Sequence, residues 1–340
     1  MQRRTFHSYF AMGLGSLFFG VSRPPAPTSL IKPRRLAKGD VIGLITPGSY
    51  ISDESLEKAV SNLESLGFVV KMGKHIRAKH GFVAGTDAQR LEDLHSMFGD
   101  SEVAGVWCAR GGYGCSRLLP ALDYELIRKH PKVLIGYSDI TALIQAIHLR
   151  TGLIAFHGPV ASSDMTAYTE QHFVEVVMEG RSPLVITPPD ASDSAEAYQP
   201  YVLKGGRKRG RLAGGNLSLL AALAGTPFAL DASEKIVFIE EIGEEPYRVD
   251  RMLTQLQQSA ALDKAAGLAL GVFEDCEAAN PDNSLDLRAT LEGQTLDFNL
   301  PTDYGHAIGH ISNQCTLPVG VMAELDADQH QITLLEAGVA

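Results

Sequence analysis

"VLIGYSDITAL", residues Val133 to Leu143, joins an apolar run that stops at Gly136 to a helical pattern that starts at Ile140. Ile140, Leu143, Ile144 and Ile147 fall at i, i+3, i+4 and i+7, which predicts a helix with one buried face. A buried strand passing into a buried helix through so short a hinge is half of a β–α–β unit. The pattern recurs upstream. "DVIGLITPGS" (Asp40 to Ser49) is a strand run ending in a Pro-Gly turn, and Leu56, Val60, Leu63 and Leu66 follow at helical spacing. "GFVVKMG" and "VAGVWCARGG" read as strands, and "DAQRLEDLHSMFGD" as an amphipathic helix closed by Gly99. Strands alternating with helices predict a parallel sheet covered on both faces, with functional loops at the carboxyl ends of the strands. Three such ends carry suggestive chemistry: "TPGS", "ARGGYG" and "GYSD".

Beyond this first half the pattern changes. Residues 181–204 are rich in Pro, Ser, Asp and Ala and read as a linker. "RGRLAGGNLSLLAALAGTPF", "KIVFIEEIGEEPYRVDRMLTQL", "GLALGVF" and a final strand pair then predict a mixed α+β domain with short strands. The expected organisation is a leader over 1–31, a three-layer α/β domain over 32–180, the linker, and a C-terminal domain over 205–340. The leader places Arg3 and Arg4 ahead of an apolar stretch from Tyr9 to Val21, too short to span a bilayer, and resembles a twin-arginine export signal. A periplasmic location without stable membrane insertion is the expectation. The alternative is a plain apolar tail on a cytoplasmic protein.

A net charge of −10 over 340 residues argues against nucleic acid as a partner, and "KGGRKRGR" (Lys204 to Arg211) reads as a solvated loop. Cys108, Cys115, Cys276 and Cys315 have no metal-binding spacing; their even number permits disulfides without requiring them.

The hinge serine has two readings. Ser138 or Asp139 sits where a helix N-terminus leaves backbone N–H groups unpaired, and either side chain would serve as the cap. The other reading is a nucleophile elbow that exposes the Ser138 hydroxyl above the sheet edge, with the Asp139 N–H aimed at a developing oxyanion. A nucleophilic serine needs a base and an orienting acid. His306 and His310 in "YGHAIGHISNQCTLPVG" are candidate bases, with His157 in "FHGP" a weaker one. The i, i+4 spacing of His306 and His310 is that of a zinc helix, but Gly305 and Gly309 disfavour a helix and the glutamate of an HExxH is missing. Glu240, first of two acids ending the apolar run Ile236 to Ile239, is the candidate orienting group. "ARGGYG" lacks the pattern of a nucleotide phosphate loop.

Taken in order, "GLITPGS", "AGTDAQRLEDL", "WCARGGYGCSRLLPALD", "VLIGYSDITAL", "FHGP", "GRLAGGNLSLLAALAGTPF", "IVFIEEIGEEPYRVDRML" and "GHISNQCTLPVG" resemble the LD-carboxypeptidases, the S66 serine peptidases of murein turnover. The resemblance runs from about Lys32 to the C-terminus. It implies a Ser…Glu…His triad, which falls on Ser138, Glu240 and His310; the base is His310 because it lies eight residues before Pro318. His306 then departs from the family pattern and is read as a substrate contact. Further implications are an oxyanion hole from the N–H groups of Asp139 and Gly112, and substrate contacts from Arg110, Gly111 and Tyr113. The guanidinium of Arg110 would take a terminal carboxylate, or else it is structural and stacked under Tyr113. No cofactor or metal is implied, and a homodimer is. The implied reaction releases the terminal D-alanine that follows meso-diaminopimelate in a murein tetrapeptide. The alternatives are hydrolysis of a peptide–nucleotide antibiotic and non-catalytic muropeptide binding.

Overall fold

The computed structural model describes residues 29–189 and 199–340. The export-signal reading of the leader and the centre of the expected linker therefore lie outside the described residues. Among those described, no helix is long and apolar enough to cross a membrane.

The first half builds strands β1 (Val41–Ile45), β2 (Val69–Met72), β3 (Val103–Cys108), β4 (Val133–Gly136) and β5 (Phe156–His157). Helices α1 (Asp53–Ser65), α2 (Asp87–Gly99), α3 (Tyr124–Lys129), α4 (Thr141–Thr151) and α5 (Ala167–Phe173) run between and after them. The five strands are parallel in the order β5-β4-β3-β1-β2. Their buried positions are apolar because both faces are covered, so β4 is buried along its whole length. Ser52 caps α1, and Thr86 forms a capping box with Gln89 on α2.

The second half adds β6 (Leu184–Ile186), β7 (Tyr201–Lys204), β8 (Arg207–Asn216), α6 (Leu217–Ala222), β9 (Lys235–Ile242), α7 (Pro246–Ala260), β10 (Gly267–Glu274), α8 (Leu287–Thr295), β11 (Thr302–Tyr304), β12 (Leu317–Pro318), β13 (Met322–Asp326) and β14 (Gln331–Leu334). Its sheet runs β6-β14-β13-β8-β9-β10-β11-β7, parallel from β8 to β11 and antiparallel elsewhere. Two features differ from expectation. Both described ends of the expected linker are edge strands, β6 and β7. Composition hid the period of two in Leu184-Val185-Ile186, whose outer residues are buried and whose middle one is exposed. The central strands are also long, ten residues in β8 and eight in β9 and β10.

One short strand joins the halves. β12 comes from the C-terminal region but pairs antiparallel with β5 of the first sheet, Leu317 opposite His157. The chain from β11 to β12 therefore crosses from the second sheet to the first, and His310 lies on that crossing. A second contact seats β8 on α4. The Asn216 N–H donates to Thr141 Oγ1 at 3.0 Å, and a Cβ on Gly215 would stand 2.5 Å from Thr141 Cγ2. Only glycine allows this approach.

Candidate active site

Ser138 leaves β4 with φ of 62°, the left-handed region that non-glycine residues rarely occupy. A tight turn over Ser138–Ile140 follows, and α4 begins at Thr141 with no side-chain cap. The capping reading therefore fails for both residues. Asp139 is buried and its Oδ2 accepts from the Cys115 N–H at 2.9 Å. The Ser138 hydroxyl lies 3.0 Å from His310 Nε2.

His310 Nδ1 is 2.8 Å from Glu240 Oε2, and the Glu240 side chain is fully buried. A carboxylate at Nδ1 keeps the ring proton there, which leaves Nε2 to accept the serine proton. Gly309, with φ of 128°, carries the loop across β9; a Cβ there would stand 2.9 Å from the Val272 carbonyl oxygen and 3.2 Å from Glu240 Cβ. The Tyr137 ring meets the imidazole nearly edge-on, with centroids 4.8 Å apart. Sequence reading missed Tyr137, because an aromatic beside a serine carries no pattern of its own. It also missed Glu241, which accepts from Asn216 Nδ2 at 3.0 Å and the Ser218 N–H at 2.7 Å and so ties the end of β9 to the start of α6.

The glycine-rich loop after β3 packs onto the serine. A Cβ on Gly111 would stand 3.0 Å from Ser138 Cβ and 3.3 Å from the Asp139 nitrogen. Gly111 accepts from the Ser49 N–H at 3.0 Å, so across the planar peptide the Gly112 N–H points the opposite way. Arg110 Nη1 donates to the Tyr50 carbonyl at 2.9 Å. Arg110 lines a cavity of about 520 Å³ with Ser49, Tyr50, Gly81 and Phe82. Tyr113 is exposed and meets the exposed Phe82 edge-on at 5.2 Å.

The other histidines go elsewhere. His306, expected to touch substrate, is buried with Nε2 2.9 Å from Asp303 Oδ1; Asp303 Oδ2 meets His330 Nδ1 at 3.0 Å. The two histidines of "GHAIGH" thus serve different carboxylates, Asp303 on β11 and Glu240 on β9. Burial pushes the His157 imidazole down to about 4, so it is neutral near pH 7, and it packs on Phe238 with ring centroids 5.1 Å apart. All four cysteines are free and buried, and burial pushes their thiols up, Cys276 and Cys315 to about 12. Among the described residues no cluster of three or more His, Cys, Asp or Glu is placed to hold a metal ion.

His306→Ala is expected to leave kcat and KM per folded molecule unchanged while lowering stability by about 2–3 kcal/mol, since it strips one partner from a buried carboxylate. Burial alone would raise the Asp303 pKa, but His306 and His330 outweigh it and hold the carboxyl below 3.8. The group therefore contributes stability above that value and loses it as pH falls through its folded pKa. Thermal melts should show the gap between wild type and variant at pH 7 and its closure below about pH 4. Loss of turnover in a folded His306→Ala protein would reassign the base.

The model of the LD-carboxypeptidase N-terminal domain matches residues 42–158, and that of the C-terminal domain matches residues 209–325. A probable murein peptide carboxypeptidase of Bacillus subtilis is 41% identical over 91% of this chain and 95% of its own. A murein tetrapeptide carboxypeptidase of Pseudomonas aeruginosa is 39% identical over 85% and 94%. The crystal structure of an MccF-like protein from Bacillus anthracis superposes with a TM-score of 0.80 at 29% identity, over 89% of this chain and 99% of that one. Two consecutive domain matches and relatives aligned over nearly their whole length place this chain in the LD-carboxypeptidase family.

Proposed function

We propose that the protein is a serine carboxypeptidase that cleaves the L,D peptide bond before the terminal D-alanine of murein tetrapeptides. The observation that carries this reading is the continuous path from Ser138 Oγ to His310 Nε2 at 3.0 Å and from His310 Nδ1 to Glu240 Oε2 at 2.8 Å. His310 takes the serine proton as Oγ attacks the carbonyl carbon after diaminopimelate, and Glu240 stabilises the imidazolium that forms. The N–H groups of Asp139 and Gly112 bind the oxyanion; one such donor is typically worth about 2.7–4 kcal/mol. The imidazolium then protonates the departing amine, and water, deprotonated by the same imidazole, releases the tripeptide from Ser138. Arg110, which lines the cavity with Ser49 and Tyr50, suits the carboxylate of the leaving D-alanine because a planar guanidinium pairs with it through two parallel bonds. The murein names of two relatives favour this substrate class. With the leader acting as an export signal, the place of action is the periplasm.

The test is mass spectrometry of defined tetrapeptides incubated with purified protein. Loss of one alanine, and none from a peptide whose terminal carboxylate is amidated, is the expected result. Cleavage of a peptide–nucleotide conjugate with the tetrapeptide untouched would select the antibiotic reading. Binding without cleavage would select a muropeptide-binding role.

Activity is also expected to persist in EDTA. Both nitrogens of His310 face triad partners and His306 is turned to Asp303, so the pair is not disposed to share one ion. Chelator-sensitive turnover restored by zinc would contradict the serine mechanism.

A further inference from the structure

Asp139 contributes a backbone N–H to the proposed oxyanion hole, and its side chain has a separate task. The carboxylate is buried and accepts from the Cys115 N–H at 2.9 Å, with the Gly114 N–H also directed to it. Cys115 ends the loop that carries Gly112, the other proposed donor. The residue supplying one donor thus grips the loop supplying the second.

Arg90 of α2 holds the same loop from the other side. Its side chain is 1% exposed, although it is a cation. Nη1 donates to the Gly114 carbonyl at 3.0 Å and to the Pro47 carbonyl at 2.5 Å, and Nη2 pairs with Asp87. Pro47 lies in "TPGS" after β1, Gly114 in "ARGGYG" after β3, and Asp139 in "GYSD" after β4. One buried cation and one buried carboxylate therefore tie together the loops at three neighbouring strand ends. Glycines keep the junction open: a Cβ on Gly48 would stand 2.5 Å from the Gly111 carbonyl oxygen and 2.8 Å from Asp139 Oδ2, and one on Gly114 would stand 2.7 Å from Arg90 Nη1. Neither side chain is needed as the nucleophile, base or orienting acid, and a buried charge is costly to keep for packing alone.

We propose that Arg90 and the Asp139 carboxylate are positioning residues that set the separation of the Asp139 and Gly112 N–H donors, and so tune stabilisation of the tetrahedral intermediate without touching substrate. This rests on the serine mechanism above. A donor pair displaced by a fraction of an ångström loses most where charge develops in the transition state and little in the ground state. Asp139→Asn keeps the shape and one acceptor but places an NH2 against backbone N–H groups. Arg90→Lys keeps the charge but cannot reach two carbonyls and Asp87 through a planar fork.

Each variant is expected to lower kcat roughly 10- to 100-fold with KM changed less than about threefold. Affinity for a peptide boronate that forms a tetrahedral adduct on Ser138 should fall by the same factor as kcat. Affinity for the tripeptide product should hold, and the melting curve should confirm that the protein assayed is folded. The double variant should be less than multiplicatively impaired, because both residues support one loop. Unchanged kcat in a folded Asp139→Asn protein, or boronate and tripeptide affinities falling together, would overturn the proposal. Failure of the underlying mechanism shows separately, as boronate that forms no adduct on wild-type Ser138 or as a Ser138→Ala protein that still turns over.

Discussion

Ser138→Ala and His310→Ala should each lower kcat by about 10⁴–10⁶-fold, and the double variant should be scarcely worse than either single one. In the proposed mechanism the two side chains act as a unit: without the imidazole the hydroxyl keeps its proton, and without the hydroxyl the imidazole has no proton to take. The residual rate would come from the oxyanion donors and from substrate binding, which both variants retain. Folding should survive, because the Ser138 hydroxyl bonds His310 and caps no helix. Removing it forfeits at most the roughly 1 kcal/mol of one hydrogen bond. Steady-state kinetics on a tetrapeptide, normalised to the folded fraction, measures the first claim and a thermal melt the second. Multiplicative losses in the double variant would mean that Ser138 and His310 serve separate steps.

The first domain was legible in the sequence because its signals are local. The apolar run at Val133–Gly136 and the helical spacing from Ile140 announce β4 and α4 without reference to the rest of the chain. The second sheet was less legible. Its edge strands β6 and β7 are short, lie in a segment composed like a linker, and owe their pairing to partners far away at β14 and β11. The crossing that brings His310 to Ser138 was invisible to periodicity, because β12 is two residues long and pairs with a strand some 160 positions earlier. Only the ordered blocks shared with a family pointed to His310 over His306. Spacing within "GHAIGH" treats the two histidines alike, whereas the structure turns them to different carboxylates. Arg90 escaped for another reason. It sits in an amphipathic helix where an arginine ordinarily reads as solvated, and its burial depends on loops that follow two strands, β1 and β3.

Glu240→Gln is expected to lower kcat by about 10³–10⁴-fold while leaving the protein as stable as wild type, or more stable by about 1 kcal/mol. The two effects have one cause. Glu240 is fully buried, its Oε2 faces His310, and its Oε1 has no hydrogen-bond partner among the described residues. A carboxylate so placed is poorly solvated, and replacing it by a neutral group of the same shape removes that cost. The imidazolium of the proposed mechanism needs the negative charge, however, and the amide removes it. If the Gln NH2 turns to Nδ1, the ring proton moves to Nε2 and the base can no longer accept from Ser138. In serine peptidases of other folds the equivalent carboxylate-to-amide change costs about 10⁴ in kcat. A residue kept for packing would behave in the opposite way, losing stability first and activity only in proportion to the unfolded fraction. Parallel measurement of kcat and thermal stability therefore decides between the two roles. A Glu240→Gln protein with near-normal turnover would remove the carboxylate from the mechanism and leave Ser138 and His310 as a dyad.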